Sequence, residues 1–135
     1  MANLINISEA ASLALHAAAV LAACGETTMT TAEIARELRV SEAHLAKVLQ
    51  RLSKAKLVKG TRGPGGGFRL AIRPEKTTLR RIYEAIEGPI STERCLFGRP
   101  VCGRRGCPLG SALRDASDTI VSGLENTTLD QISIG

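Results

Sequence analysis

Five glycines and a proline fall within the eight residues Gly60-Thr61-Arg62-Gly63-Pro64-Gly65-Gly66-Gly67. No helix tolerates that density of Gly and Pro, each of which costs helix stability for its own steric or entropic reason. The flanking stretches, Leu57-Val58-Lys59 and Phe68-Arg69-Leu70, read as short strands. The segment is therefore a β-hairpin whose tip carries almost no side-chain bulk. Most of the remaining chain is patterned for helices, so the expected fold is mainly α with one small hairpin.

Before the hairpin, residues 8–24 form an Ala/Leu-rich helix that Ser8 can cap and Gly25 can end. Thr30-Thr31-Ala32-Glu33 matches a capping box, Thr30 being the N-cap and Glu33 the residue three places on. Ile34, Ala35 and Leu38 give the short helix that follows an inward face. Arg39-Val40 make a tight turn, and Ser41 caps the next helix. There Leu45, Val48, Leu49 and Leu52 recur at the spacing of one buried stripe, with Lys47, Arg51 and Lys54 on the other side. Two short helices joined by a tight turn, the second with a basic outer face, make a helix-turn-helix.

Helix, helix-turn-helix and glycine-rich hairpin in this order describe a winged helix-turn-helix. In such a unit the second helix of the pair enters the major groove of DNA. The residues placed to meet bases and phosphates are Ala43, His44, Lys47 and Arg51, with Ser41 near the DNA backbone. On the wing, Gly65 and Gly66 let the main chain approach closely, and Arg62 can probe a narrow minor groove. After the wing, a helix from about Thr78 to Glu87 buries Leu79, Ile82, Tyr83 and Ile86, and Gly88-Pro89 ends it. A last helix, from about Leu109 to Leu124, carries an apolar stripe through Leu113, Ala116 and Ile120. Thr127-Thr128-Leu129-Asp130 starts a final turn.

Charge supports a nucleic-acid partner. Between Arg36 and Arg81 there are thirteen Lys/Arg against three acids, whereas the rest of the chain has five against ten. A basic block beside acidic flanks is the electrostatic footprint of a nucleic-acid-binding face, and the winged helix-turn-helix makes double-stranded DNA the expected partner. With 135 residues, one Tyr, two Phe and no Trp, the chain has room for one aliphatic core plus an appendage. The longest apolar run, Leu13 to Cys24, is interrupted by His16 and too short to cross a bilayer. The first residues carry no positive n-region. These features favour a cytoplasmic protein without a membrane partner.

Three of the four cysteines, Cys95, Cys102 and Cys107, lie within thirteen residues of a Gly-, Pro- and Arg-rich segment. Little there could pack a core, so a bound group is the natural source of order. Thiolates select iron–sulfur clusters, zinc or copper(I). The spacing, Cys-x6-Cys-x4-Cys, lacks the Cys-x2-Cys pair common in zinc modules and suits a loop around a bulky cluster. Arg99, Arg104 and Arg105 would offset the negative charge of a thiolate-held group. Zinc and a bare thiol switch are the alternatives. Cys24, at the end of the first helix, reads as a small buried apolar residue.

The stretch from Thr30 to Gly88, above all Arg62-Gly63-Pro64-Gly65-Gly66-Gly67-Phe68-Arg69-Leu70, resembles the Rrf2 family of bacterial transcription regulators. The likeness extends to Leu13-Ala14-Leu15, Glu84-Ala85-Ile86-Glu87-Gly88 and Thr127-Thr128-Leu129. It implies a homodimer paired through the long C-terminal helix. It further implies a [2Fe–2S] or [4Fe–4S] cluster on Cys95, Cys102 and Cys107, sensing iron–sulfur status, redox state or nitric oxide. One branch of the family takes a fourth ligand from a His three residues after the last Cys, but that position is Gly110 here. In other members a residue of the partner's first helix completes the site. His16 aligns with a His used in that way; the carboxylate found one turn earlier is replaced by Ser12, and Glu9 is the nearest carboxylate.

The expected organisation is a winged helix-turn-helix domain over 1–87, a cysteine-rich cluster-binding loop over 88–108, and a dimerisation helix with tail over 109–135. Two rivals belong to other classes. A regulator acting by protein–protein contact predicts DNA affinity without steep salt dependence. A cysteine-nucleophile enzyme needs a positioned base, yet His16 and His44 lie on separate helices with no supporting acid motif. No catalytic residue is expected.

Overall fold

The computed structural model describes residues 7–91 and 107–132. Five helices and one hairpin follow in the order α1 (Glu9–Ala23), α2 (Thr31–Leu38), α3 (Glu42–Lys54), β1 (Val58–Thr61), β2 (Gly67–Leu70), α4 (Leu79–Glu87) and α5 (Pro108–Asn126). Short 3-10 turns over Pro74–Lys76 and Leu129–Gln131 precede α4 and follow α5. The mainly helical winged fold expected from the periodicities is the one observed.

Alpha-1 is the central post. Ser8 Oγ accepts from the Ala11 amide at 3.0 Å and so caps it. Ala11, Ala14, Ala17, Ala18 and Ala19 are all buried, and their small side chains let α2, α3, α4 and β2 pack around the helix. A bulkier residue at any of these positions would push a neighbouring element outward. Leu21, Ile34, Leu45, Leu49, Leu52 and Ile82 complete a core closed to solvent.

The helix pair is fixed by its ends. Glu33 N donates to Thr30 Oγ1 at 3.2 Å, and Thr30 N donates to Glu33 Oε2 at 2.8 Å, so the capping box is complete. Alpha-2 stops at Arg39, whose φ of 56° is left-handed. The Val40 amide then turns back to the Ala35 carbonyl at 3.0 Å, which satisfies a helix-end acceptor. Ser41 Oγ accepts from His44 N at 3.4 Å and starts α3.

Beta-1 and β2 pair antiparallel, from Val58 opposite Leu70 to Thr61 opposite Gly67. The sequence did not disclose that Met29 joins this hairpin from its outer edge. Met29 N donates to Phe68 O at 2.9 Å, and Phe68 N donates to Met29 O at 2.7 Å. This exchange ties the wing to the turn that opens the helix-turn-helix, leaving less of its edge unpaired.

The chain end also returns to the core. Leu129 is fully buried, its amide donates to Thr77 O at 3.0 Å, and Leu79 N donates to Thr127 O at 2.9 Å. The tail grouped with α5 on sequence grounds thus packs with α1 and the segment before α4. Alpha-5 itself is sparsely covered, Gly110 being its one buried residue.

Candidate nucleic-acid interface and cysteine centre

The outer face of α3 is a row of Ala43, Lys47, Gln50 and Lys54, spaced by four, three and four residues. That interval keeps side chains on one face, and all four are exposed opposite the buried Leu45, Val48, Leu49 and Leu52. Two residues expected on this face are turned to its edge. His44 is half-buried, with Nδ1 3.7 Å from Glu9 Oε1 of α1. The Arg51 guanidinium donates to the Ile86 carbonyl at the end of α4. Helical pitch explains both, because positions seven apart share one edge and that edge meets α1 and α4. Ser41 uses its hydroxyl as the cap. Gln50 was missed by the sequence reading, and Lys54 was seen as basic but not placed at the site. The periodic step from Ala43 was the signal that could have found them.

At the wing tip, Arg62 is exposed. Gly65 has φ of +73° and nothing within 4 Å of where a Cβ would stand. Its carbonyl accepts from Thr28 Oγ1 at 3.1 Å, so the open tip is held from behind. Gly66 serves a different need. A Cβ there would lie 2.4 Å from the Thr61 carbonyl oxygen, and its amide donates to Gly63 O at 2.8 Å. Its glycine is required by the inside of the hairpin. A groove of about 520 Å³ runs between wing and helix, lined by Gln50, Ser53, Lys54, Thr61, Arg62 and Phe68.

Of the cysteines in the Cys95–Cys107 stretch, Cys107 is described; Cys95 and Cys102 lie outside the described residues. Cys107 is exposed and occupies the N-cap position of α5 without a side-chain cap bond. The positive end of the helix dipole there favours a negatively charged group. His16, also exposed, places Nδ1 2.7 Å from the Ser12 carbonyl oxygen. A carbonyl only accepts, so Nδ1 is the donor, and in the neutral ring Nε2 is the nitrogen left with a lone pair for a ligand. The ring borders a groove of about 230 Å³ with Glu9, Ser12, Leu13, Leu38 and Val40. Cys24 is half-buried rather than buried, and its thiol donates to Met29 Sδ at 3.1 Å. Among the described residues, no three His, Cys, Asp or Glu side chains are arranged to hold a metal ion.

A charged cluster binds α4 to both neighbours of the cysteine segment. Arg80 Nε is 3.1 Å from Glu84 Oε1, and Arg80 Nη1 is 3.2 Å from Glu125 Oε2 on α5. Glu84 Oε1 also accepts from the Ile90 amide at 3.2 Å. The hydrogen bond from the Ile90 amide is the largest influence on the Glu84 carboxyl; burial opposes it, the lesser contacts with the Arg80 guanidinium add to it, and the carboxyl is held below its ordinary range. The same contacts, Glu84 first, push the Arg80 guanidinium up.

Recognition helix, glycine-tipped wing and a basic groove between them define a winged helix-turn-helix regulator. The profile of the Rrf2 family, described as iron-dependent transcriptional regulators, matches residues 7–133. The chain belongs to the Rrf2 family. The transcriptional regulator IscR of Pectobacterium atrosepticum is 32% identical over 108 residues, covering 79% of this chain and 65% of its own length. The transcriptional repressor NsrR of Streptomyces coelicolor is 29% identical, covering 80% of this chain and 73% of its own. The structure of CymR, the global cysteine regulator of B. subtilis, superposes with a TM-score of 0.80 at 28% identity, covering 94% of this chain and 95% of that one. These relatives are named as regulators, and the chain spans just under two thirds of the IscR length it matches. No helix among the described residues is long and apolar enough to cross a membrane.

Proposed function

We propose that this protein is a homodimeric regulator that binds double-stranded operator DNA in the cytoplasm, its affinity set by the state of its cysteines. The group they hold is an iron–sulfur cluster, [2Fe–2S] or [4Fe–4S]. The observation that carries the DNA reading is the pairing of the Ala43–Lys47–Gln50–Lys54 row with the Arg62 wing across one groove. Lys47, Lys54 and Arg62 meet phosphates or a narrow minor groove, while Ala43 lets the helix seat closely. Ser41, His44, Arg51, Gly65 and Gly66 frame this surface: His44 and Arg51 at the edge of α3, Gly65 as the open main chain of the tip.

The donor set fits a cluster. Cys95, Cys102 and Cys107 supply soft thiolates, Cys107 is exposed at a helix N-terminus, and His16 has Nε2 available as the fourth ligand. When bound, such a group supplies iron chemistry that responds to oxidants, nitric oxide and iron supply. The chain's own residues then connect the segment to the reading surface. Its first part is held where Ile90 bonds Glu84, one turn from the Ile86 carbonyl that accepts from Arg51 of α3. Its last residue, Cys107, begins α5. The exposed Leu109 and the half-covered Leu113, Ile120 and Leu124 of α5 support pairing through that helix.

Anaerobic purification with visible absorbance and iron and sulfide assays tests the cluster. Coloured protein, and loss of colour in Cys102→Ala with the fold retained, are expected. A second reading, a cluster-free or zinc-binding thiol switch, is favoured by the exposed free thiol of Cys107; colourless protein with reduced thiols, or with one zinc per chain, would support it instead. Operator affinity should fall steeply with salt, as phosphate contacts demand; a flat response would favour action through protein contact.

A further inference from the structure

We propose that Gln50 is the residue through which α3 reads sequence, and that the base it reads is adenine. The inference rests on the docking of α3 in the major groove proposed above and adds the identity of the base and its reader.

Two-point recognition of a base edge depends on the side chain. Guanine offers two acceptors and takes Arg or Lys; cytosine offers a donor and takes a carboxylate. Adenine offers the N6 donor beside the N7 acceptor and takes the carboxamide of Asn or Gln. From Thr28 to Leu70, the stretch that builds the helix pair and wing, the sequence contains one carboxamide, Gln50. It is exposed on the outer row of α3 and lines the groove toward the wing. Among the described residues its amide has no hydrogen-bond partner, so both of its functions are open to a ligand.

The neighbours leave this role to Gln50. Ala43 and Ala46, in the first half of α3, have no polar atoms to spend on a base, and their size lets the helix axis sit deep. That depth brings a third-turn side chain within reach of base edges. His44 is turned toward Glu9, and Arg51 is engaged by the Ile86 carbonyl. Lys47 and Lys54 flank Gln50 on the same row and carry charge suited to the phosphates on either side. Oε1 of Gln50 accepts from adenine N6, and Nε2 donates to N7.

The test is selection of the full-length wild-type protein, Gln50→Ala and Gln50→Glu on a random-sequence duplex library, followed by titration of the selected duplexes. Wild type should enrich an adenine at one position of each half-site. Gln50→Ala should lose the preference at that position alone and bind the best duplex roughly 5- to 150-fold more weakly. Gln50→Glu should move the preference there to cytosine. The assignment is overturned if Gln50→Ala keeps the wild-type motif, if the lost preference is for another base, or if affinity falls equally on all sequences, which marks a phosphate contact. Failure of the underlying docking looks different, because wild type would then retain no duplex at all.

Discussion

The two ends of the molecule are built on opposite terms. From Thr30 to Leu70, every helix start has a side-chain cap, four residues of α3 are buried in the core, and the wing is bonded to Met29 and Thr28. Alpha-5 has nineteen residues and a single buried one, and its N-cap, Cys107, makes no side-chain cap bond. The first region carries its own reasons to be ordered. The second begins at a thiol and presents half-covered Leu and Ile to whatever lies beside it. On the function proposed above, a reading surface has to keep its shape and a sensing element has to be able to change, and the two fall in different parts of the chain.

The comparison breaks most readily at Leu129, which follows α5 in sequence yet is fully buried. Leu129→Ala should lower unfolding free energy by about 2–5 kcal/mol, measured by urea denaturation. A loss as small as that of a surface change would return the tail to the α5 region. Gly66→Ala should cost about 1–3 kcal/mol, because its Cβ meets main chain that has nowhere to go. Gly65→Ala, into open space, should cost less and show mainly as strain at positive φ. Thr30→Ala removes one half of the capping box and should cost about 1 kcal/mol; an unchanged melting temperature would argue that α2 is held by packing alone.

Acid sharpens the contrast at the junction. The Glu84 carboxyl is held below its ordinary value by the Ile90 amide and then by Arg80. A depressed folded value contributes stability above the unfolded pKa, about 4.3, and loses it as pH falls through the folded one. Glu84→Gln should therefore flatten the stability profile at and below that pH and leave the neutral-pH salt dependence of Arg80 weaker. The smallest expected effect is at Leu109, 61% exposed. Leu109→Ala should leave unfolding of dilute protein within about 0.5 kcal/mol, while sedimentation shifts toward the monomer. An unchanged dimer fraction would place pairing elsewhere.

Much of the architecture was legible because it rests on local patterns. Thr30 with Glu33, the Leu45–Leu52 stripe and the Gly60–Gly67 run each specify their element from within a dozen residues. The bonds that close the structure join residues far apart in sequence, and no period announces them: Met29 to Phe68, Thr127 to Leu79, Arg51 to Ile86. For the site, composition located the basic face, but a residue's place on it depends on helix phase. The sequence puts Ala43, His44, Lys47 and Arg51 together as outward residues, whereas in the structure His44 and Arg51 border that face and Gln50, neutral and therefore silent in a charge count, sits in the middle.

The return of the chain after α5 has a mechanical meaning. Thr127 is pinned to Leu79 and Leu129 is sunk in the core, so the chain that leaves α5 is anchored there, and a tilt of the helix about that anchor would be felt most at the Cys107 end. Nineteen residues at the helical rise span about 28 Å. A rotation of about five degrees about such an anchor would move the Cys107 end by roughly 2 Å. Run in reverse, a displacement of one atomic diameter at the cysteine end would be geared down to a small turn beside α4.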